Sequence, residues 1–147
     1  MLLSNPDLHF MQVALNEAKR ARDEDEVPVG AVIVSDGKIL GKGYNQVERL
    51  CDVTAHAEII AITAASNFLG AKYLKDCTLY VTLEPCPMCA AAIKWSRIGR
   101  IVYAASDPKG GYSKISNEIL DPKTEVSNGI LKNECSELMT EFFRKKR

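Results

Sequence analysis

The 147-residue sequence has no long apolar run, no overall excess of either charge sign and a single tryptophan. Ala90-Ala91-Ala92-Ile93 is typical of its apolar stretches, far short of the roughly 18 residues that would mark a membrane span. Met1 to Phe10 lacks the basic start and extended apolar core of a secretory signal. The expected compartment is therefore the cytoplasm, with no membrane partner. Internal repeats and low-complexity linkers are also lacking, so residues 1–147 are expected to form one domain. A composition 46% hydrophobic and 26% charged excludes disorder and collagen-like structure. The charge balance is only global. Residues 1–93 hold 8 Lys+Arg against 12 Asp+Glu, whereas residues 94–147 hold 11 against 7. The chain closes on Arg144-Lys145-Lys146-Arg147, cations that suit the negative pole of a helix end.

The apolar periodicity orders the chain. Asn5-Pro6 reads as an N-cap followed by proline at the first helical position. Leu8, Met11, Leu15 and Ala18 then recur at helical spacing to about Arg22. The acidic cluster Asp23 to Glu26 is expected to end that helix as an exposed loop. Val29 to Val34 and Ile39 to Tyr44 flank Ser35-Asp36-Gly37 and read as a β-hairpin. Thr54 is expected to cap a second long helix, with Ile59, Ile60, Ile62 and Ala65 as its buried stripe. Thr78 to Leu83 reads as a strand, Pro87 to Ser96 as a helix and Arg100 to Ala104 as a strand. Together they form a βαβ crossover and imply a parallel pair. Ser106 to Asn128 reads as loop with short elements. Leu131 to Phe143 carries apolar residues at helical spacing and reads as a last amphipathic helix. The sum is an α/β domain with helices on both faces of one sheet.

Five cysteines make an odd count, and two stand as Cys86-Pro-Met-Cys89. In a reducing compartment that spacing points to metal or redox chemistry before disulfides. Three apart on a first helical turn, the two sulfurs share one face. The free amides of that turn favour thiolates. With the imidazole of His56 in Thr54-Ala55-His56-Ala57-Glu58, they supply three ligands of the kind Zn²⁺ prefers. Three rather than four leaves one position for a water, which loses a proton near neutral pH when bound. Glu58, two residues past His56, points away from the imidazole on an ideal helix and can reach that water as a proton shuttle. A thioredoxin-like redox pair would account for Cys86 and Cys89 but leave His56 and Glu58 unused. A closed structural zinc site needs a fourth ligand from Cys51, Cys77, Cys135 or His9, none of which has a spacing that singles it out. Those three remaining cysteines read better as small buried hydrophobes. Glu84 reads as a structural carboxylate near a helix start, and Trp95 and Tyr80 as core or interface residues.

His-x-Glu followed by Pro-Cys-x-x-Cys is the signature of zinc nucleobase deaminases. The chain resembles the cytidine-deaminase-like superfamily and, within it, the bacterial tRNA-specific adenosine deaminases of the TadA type. The resemblance runs through Glu26-Val27-Pro28-Val29-Gly30-Ala31, Thr54 to Ile59, Thr78 to Cys89, Ser96 to Tyr103, Asp107-Pro108-Lys109-Gly110-Gly111, Gly129-Ile130-Leu131 and Glu141-Phe142-Phe143. It implies a three-layer α/β/α sandwich around a mixed five-stranded sheet, in a homodimer. It also implies conversion of adenosine to inosine in the tRNA anticodon loop, at the wobble position. On matching positions, His56, Cys86 and Cys89 would hold zinc and Glu58 would shuttle protons. The Ala57 amide and the Asn45 side chain would fix the base, and Asp107 would lie near the nucleotide. Lys109, Lys114 and the Arg144–Arg147 tail would meet phosphates. The chain departs from the family over 112–123, where Tyr112-Ser113-Lys114-Ile115-Ser116 and Asp121-Pro122-Lys123 stand. The alternative substrate is accordingly a free purine or pyrimidine base or nucleoside, of the guanine or cytosine type. A non-catalytic zinc-stabilised or RNA-binding module would have no use for Glu58.

Overall fold

A computed structural model describes residues 4–146; Met1–Leu3 and Arg147, the last of the basic tail, lie outside the described residues. Helix α1 spans Pro6–Asp23, with the Asn5 side chain accepting from the Leu8 amide and proline in its first turn, as the sequence predicts. Strands β1 (Gly30–Ser35) and β2 (Lys38–Tyr44) form the expected hairpin. Its turn residues Asp36 and Gly37 have φ of 51° and 74°, the positive values that a tight two-residue hairpin turn requires. A short helix α2 (Val47–Leu50) and the long α3 (Ala57–Leu69) follow. Then come β3 (Thr78–Leu83), α4 (Pro87–Ser96), β4 (Arg100–Ala105), β5 (Glu125–Asn128) and α5 (Lys132–Lys145).

One sheet carries all five strands in the order β2-β1-β3-β4-β5. β1 is antiparallel to β2 and β3, while β3–β4 and β4–β5 are parallel. The sheet is therefore mixed, as expected. Both its faces are covered, which is why its central strands read as continuous apolar runs rather than alternating ones. Odd-numbered residues Ala31, Ile33, Leu79, Val81 and Ile101 pack with Ala61 and Ala65 of α3 and Ala90 and Ile93 of α4. Even-numbered Val32, Val34, Tyr80, Val102 and Ala104 pack with Phe10, Met11, Ala14 and Ala18 of α1 and Cys135 and Leu138 of α5. The period-two alternation of a strand thus feeds two separate cores. No helix among the described residues is long and apolar enough to cross a membrane.

Several local expectations are corrected. Thr54 does not cap α3: its amide and hydroxyl both donate to Asp52 Oδ1, at 2.8 and 2.7 Å, and His56 occupies the cap position. The buried stripe of α3 is Ala57, Ala61 and Ala65, with Ile59, Ile60 and Ile62 only half-buried. Small residues prevail because β2 approaches through Gly41 and Gly43. A methyl group on Gly41 would sit 2.6 Å from the Ala65 nitrogen, and one on Gly43 would sit 2.7 Å from the Ala61 nitrogen. Glu26 is buried, not part of an exposed loop; its carboxylate accepts from the Glu48 and Arg49 amides and so caps α2. Leu8 is exposed, Cys51 is exposed unlike Cys77 and Cys135, and Trp95 is 80% exposed and no core residue. Tyr80 is buried and donates to Asp7 at 2.7 Å.

Candidate metal and catalytic site

The site forms where two helices begin. His56 is the N-cap of α3 and Cys86 the N-cap of α4, both with extended backbone and neither using its side chain to cap its helix. Each ring or sulfur is thereby free to turn toward the other helix. His56 Nδ1 lies 3.6 Å from Cys86 Sγ and 3.6 Å from Cys89 Sγ. Metal–ligand lengths of about 2.3 Å to sulfur and 2.0–2.1 Å to nitrogen, at a tetrahedral angle, separate S and N by about 3.6 Å. The three groups therefore fit one tetrahedral zinc ion without rearrangement. All three ligand atoms lie within 4.8 Å of one another, and among the described residues no fourth His, Cys, Asp or Glu joins them. Cys51, Cys77, Cys135 and His9 are thus not brought to the site. That is the arrangement of an open site rather than a closed structural one.

The electrostatics follow from the two helix starts. Cys86 stands at the start of α4 and His56 at that of α3, so the positive ends of both helix dipoles lie at the site. Without a metal, the hydrogen bond from Cys89, with others from the Cys89 amide and His56, pulls the Cys86 thiol down to about 4. The same bond, reinforced by burial, pushes the Cys89 thiol up. Hydrogen bonding to Cys86, with the nearby Cys86 and Glu58 charges, raises the His56 pKa. Glu58 in the first turn of α3 is 4% exposed, and burial pushes its carboxyl up to about 7.

His56, Cys86 and Glu58 line a cavity of about 930 Å³, with Cys89 fully buried behind them. Asn45, Ala57 and Asp107, the residues expected at the substrate, all line it, as do Val29, Leu83 and Glu84. Ala57 stands at the first helical position, where the amide has no partner inside a helix. Asp107 Oδ1 accepts from the Lys109 and Gly110 amides at 3.2 and 3.0 Å, closing its own turn. The mouth is formed by Glu24, Asp25, Glu48 and Arg49 on one side and by Phe142, Phe143 and Lys146 from the end of α5 on the other. Lys146 closes toward the opposite side, 2.6 Å from Asp25 Oδ1. Lys109 and Lys114 are exposed. Glu26 orders the α2 wall, a role that the sequence does not reveal because its partners lie more than twenty residues on.

Such a triad and buried carboxylate, set at the edge of an α/β/α sandwich, define a class of metal-dependent hydrolytic enzymes. Residues 4–105 match the cytidine and deoxycytidylate deaminase zinc-binding region, and the chain belongs to that family, whose metal is zinc. It is similar to the tRNA-specific adenosine deaminase of Aquifex aeolicus, 50% identical over 146 residues and 95% of each chain. That of Agrobacterium fabrum is 46% identical over 144 residues, again 95% of each. A solved structure from work on A-to-I editing by tRNA:A34 deaminases at the wobble position superposes with a TM-score of 0.83. It is 46% identical and covers 88% of this chain and 98% of its own.

Proposed function

We propose that this protein is a zinc-dependent deaminase that converts adenosine to inosine at the wobble position of tRNA, releasing ammonia. The single observation that carries the reading is the His56–Cys86–Cys89 triad at zinc-fitting separations, beside a buried Glu58, with His56 and Cys86 opening on a cavity that Asn45, Ala57 and Asp107 also line. Similarity to tRNA-specific adenosine deaminases over 95% of the chain supports adenosine as the base. Zinc held by the three side chains would supply a water acidic enough to attack at neutral pH. Glu58 takes one proton from the attacking water and delivers it to the purine ring nitrogen, then takes the second from the new C6 hydroxyl and delivers it to the amine, which leaves as ammonia as the C6–N bond breaks and the C6 carbonyl forms. Burial raises the Glu58 pKa in the metal-free protein and so favours its holding a proton, as the acid step requires. The Asn45 amide offers a donor and an acceptor to the base edge, and the Ala57 N–H a further donor. A base in a single-stranded loop costs little to unstack, so an anticodon loop is a favourable substrate. A cavity of about 930 Å³ lies at the upper end of the range for drug-sized ligands and leaves room beyond one nucleobase, which favours a nucleotide in a chain over a free base.

Replacing Glu58 with Gln tests the reading. Inosine formation in an anticodon stem-loop falls by about 10²–10⁴-fold, while the zinc content measured by elemental analysis stays at one per chain. Turnover retained in E58Q would remove Glu58 from its role. We further place the enzyme in the cytoplasm, as one domain and as a homodimer. The exposed Phe68, Met88 and Trp95 on α3 and α4 supply apolar surface for the second copy. Trp95→Glu is expected to shift the protein to monomer by sedimentation velocity, and an unchanged sedimentation coefficient would move the contact elsewhere.

A further inference from the structure

Glu84 is buried at the end of β3, two residues before Cys86, and no lysine or arginine pairs with it among the described residues. A buried carboxylate without a cation must be satisfied by hydrogen bonds. Here Oε1 accepts from the Asp107 amide at 3.1 Å, and Oε2 accepts from the Ser113 amide at 3.0 Å and the Ser113 hydroxyl at 2.6 Å. Both ends of the 107–113 loop are therefore tied to one side chain. The far end of the loop is held a second time, since the Tyr112 amide donates to the Pro85 carbonyl at 2.9 Å. Gly111 lies directly against the carboxylate, where a methyl group would collide with Glu84 Cδ and both its oxygens. The loop so fastened carries Asp107 and Gly110 into the cavity wall. It also carries Lys109 to the rim of an adjoining cavity of about 570 Å³, which shares Val27, Leu83, Asp107, Gly110 and Phe143 with the first.

We infer that Glu84 is a positioning residue: its carboxylate clamps the Asp107–Ser113 loop at a fixed height over the metal site and thereby sets substrate affinity without touching the reacting atoms. The inference rests on the proposed reaction for its kinetic readout. Glu84 stands on the chain beside the cysteine ligand, so the clamp ties the loop that meets the nucleotide to the helix start that meets the metal. A neutral glutamine preserves the shape of Glu84 but aims an NH₂ donor at one of the two amide donors, which breaks one end of the clamp.

The test compares E84Q, Ser113→Ala and Ser113→Thr as purified zinc-loaded proteins acting on an anticodon stem-loop. E84Q is expected to raise KM by about tenfold or more, the loss of a hydrogen bond to a charged group, with kcat within about twofold and zinc content unchanged. S113A loses the hydroxyl bond but keeps the amide bond, and raises KM by a smaller factor. S113T retains the hydroxyl and restores KM toward the wild-type value, which a purely structural role would not require. Hydrogen exchange supplies a readout independent of turnover: the Asp107 and Ser113 amides lose protection in E84Q while those of β3 and β4 do not. Wild-type KM in both E84Q and S113A would overturn the inference. So would a fall in kcat or zinc content at unchanged KM, because the carboxylate would then act on the metal site directly. Should E84Q fail to fold, S113A and S113T decide alone. If the wild-type protein leaves the stem-loop untouched, the proposed function fails, while the exchange measurement still tests the clamp.

Discussion

Gly43→Ala is a one-methyl perturbation with two separable consequences. Gly43 lies on edge strand β2 beneath the first turns of α3, and an added Cβ would collide with the Ala57 carbonyl oxygen and sit 2.7 Å from the Ala61 nitrogen. Ordinary heavy-atom contacts begin near 3.5 Å, so strand and helix must separate by about 1 Å. Overpacking of this kind costs about 1–3 kcal/mol. Whichever element yields, a site residue moves with it. A shifted helix displaces His56 and Glu58, and a shifted strand displaces Asn45, two residues beyond the substitution. A misplacement of about 1 Å can cost about 10²-fold in rate. The control is Gly41→Ala, whose Cβ would meet Ala65 N at 2.6 Å and Ala61 O at 2.8 Å, one turn farther along α3 from the metal ligands. Thermal denaturation should show similar losses of several degrees for the two variants. Inosine formation in zinc-loaded protein should fall far more for G43A than for G41A. Equal activities would refute the reasoning that the β2–α3 contact sets the site geometry. A wild-type melting temperature for G43A would refute the close approach itself.

Two further outcomes follow from the ionisable groups. Asp7 accepts from both terminal nitrogens of Arg100, at 2.8 and 2.7 Å, and from the Tyr80 hydroxyl, and these bonds hold its carboxyl below the ordinary 3.8. The pair is about a quarter exposed, and after solvent screening its contribution is about 1 kcal/mol. A depressed carboxyl contributes fully above its unfolded value and loses that contribution as pH falls through its folded one. Asp7→Asn should therefore lower the melting temperature at pH 7 by a few degrees, with the gap to wild type closing below pH 4; a gap constant with pH would contradict the assignment. Removing zinc with a chelator should abolish turnover and lower the melting temperature, and added Zn²⁺ should restore both. Because the cysteines must lose protons to bind, the apparent zinc affinity should weaken as pH falls, which competition with a chromophoric chelator measures.

The parts of the fold that could be read from sequence are those where local chemistry and tertiary outcome agree. Asn5-Pro6 starts α1 because a short polar side chain and a pre-set φ serve a helix start in any context. Asp36-Gly37 makes its hairpin turn for the same reason. β5 escaped because Glu125-Val126-Ser127-Asn128 is a mostly exposed edge strand with no apolar alternation to betray it. Of the stripe expected on α3 only Ala65 is buried, because hydrophobicity marks large residues such as Ile59, Ile60 and Ile62, whereas Gly41 and Gly43 admit only alanines at the contact. Thr54 resembles a cap in isolation, but Asp52 two residues earlier captures it. Within the site, His56, Glu58, Cys86 and Cys89 were legible because metal chemistry demands those types at short spacings. Glu84 is legible as a structural carboxylate near a helix start, but its partners and those of Glu26 are not, because they lie 22 to 29 residues away and are mostly backbone amides, which every residue possesses.

That contrast has a physical basis in where the sheet delivers its helices. α3 follows β2 by way of α2, and α4 follows β3 directly, so both begin at the same end of the sheet. Each begins with a metal-binding residue in the cap position. Two dipole ends would repel one another at close range, and negative charge placed between them relieves that repulsion. The two thiols and the Glu58 carboxyl can supply that charge, yet only Cys86 is held low: the hydrogen bond to Cys86, with burial, raises Cys89, and burial raises Glu58. A divalent cation resolves the conflict by stabilising the thiolates that the helix ends already favour. The metal therefore completes the electrostatics of a helix junction that exists for reasons of chain topology. The loops that reach over it, fastened by hydrogen bonds to backbone, are free to differ in sequence while holding their place.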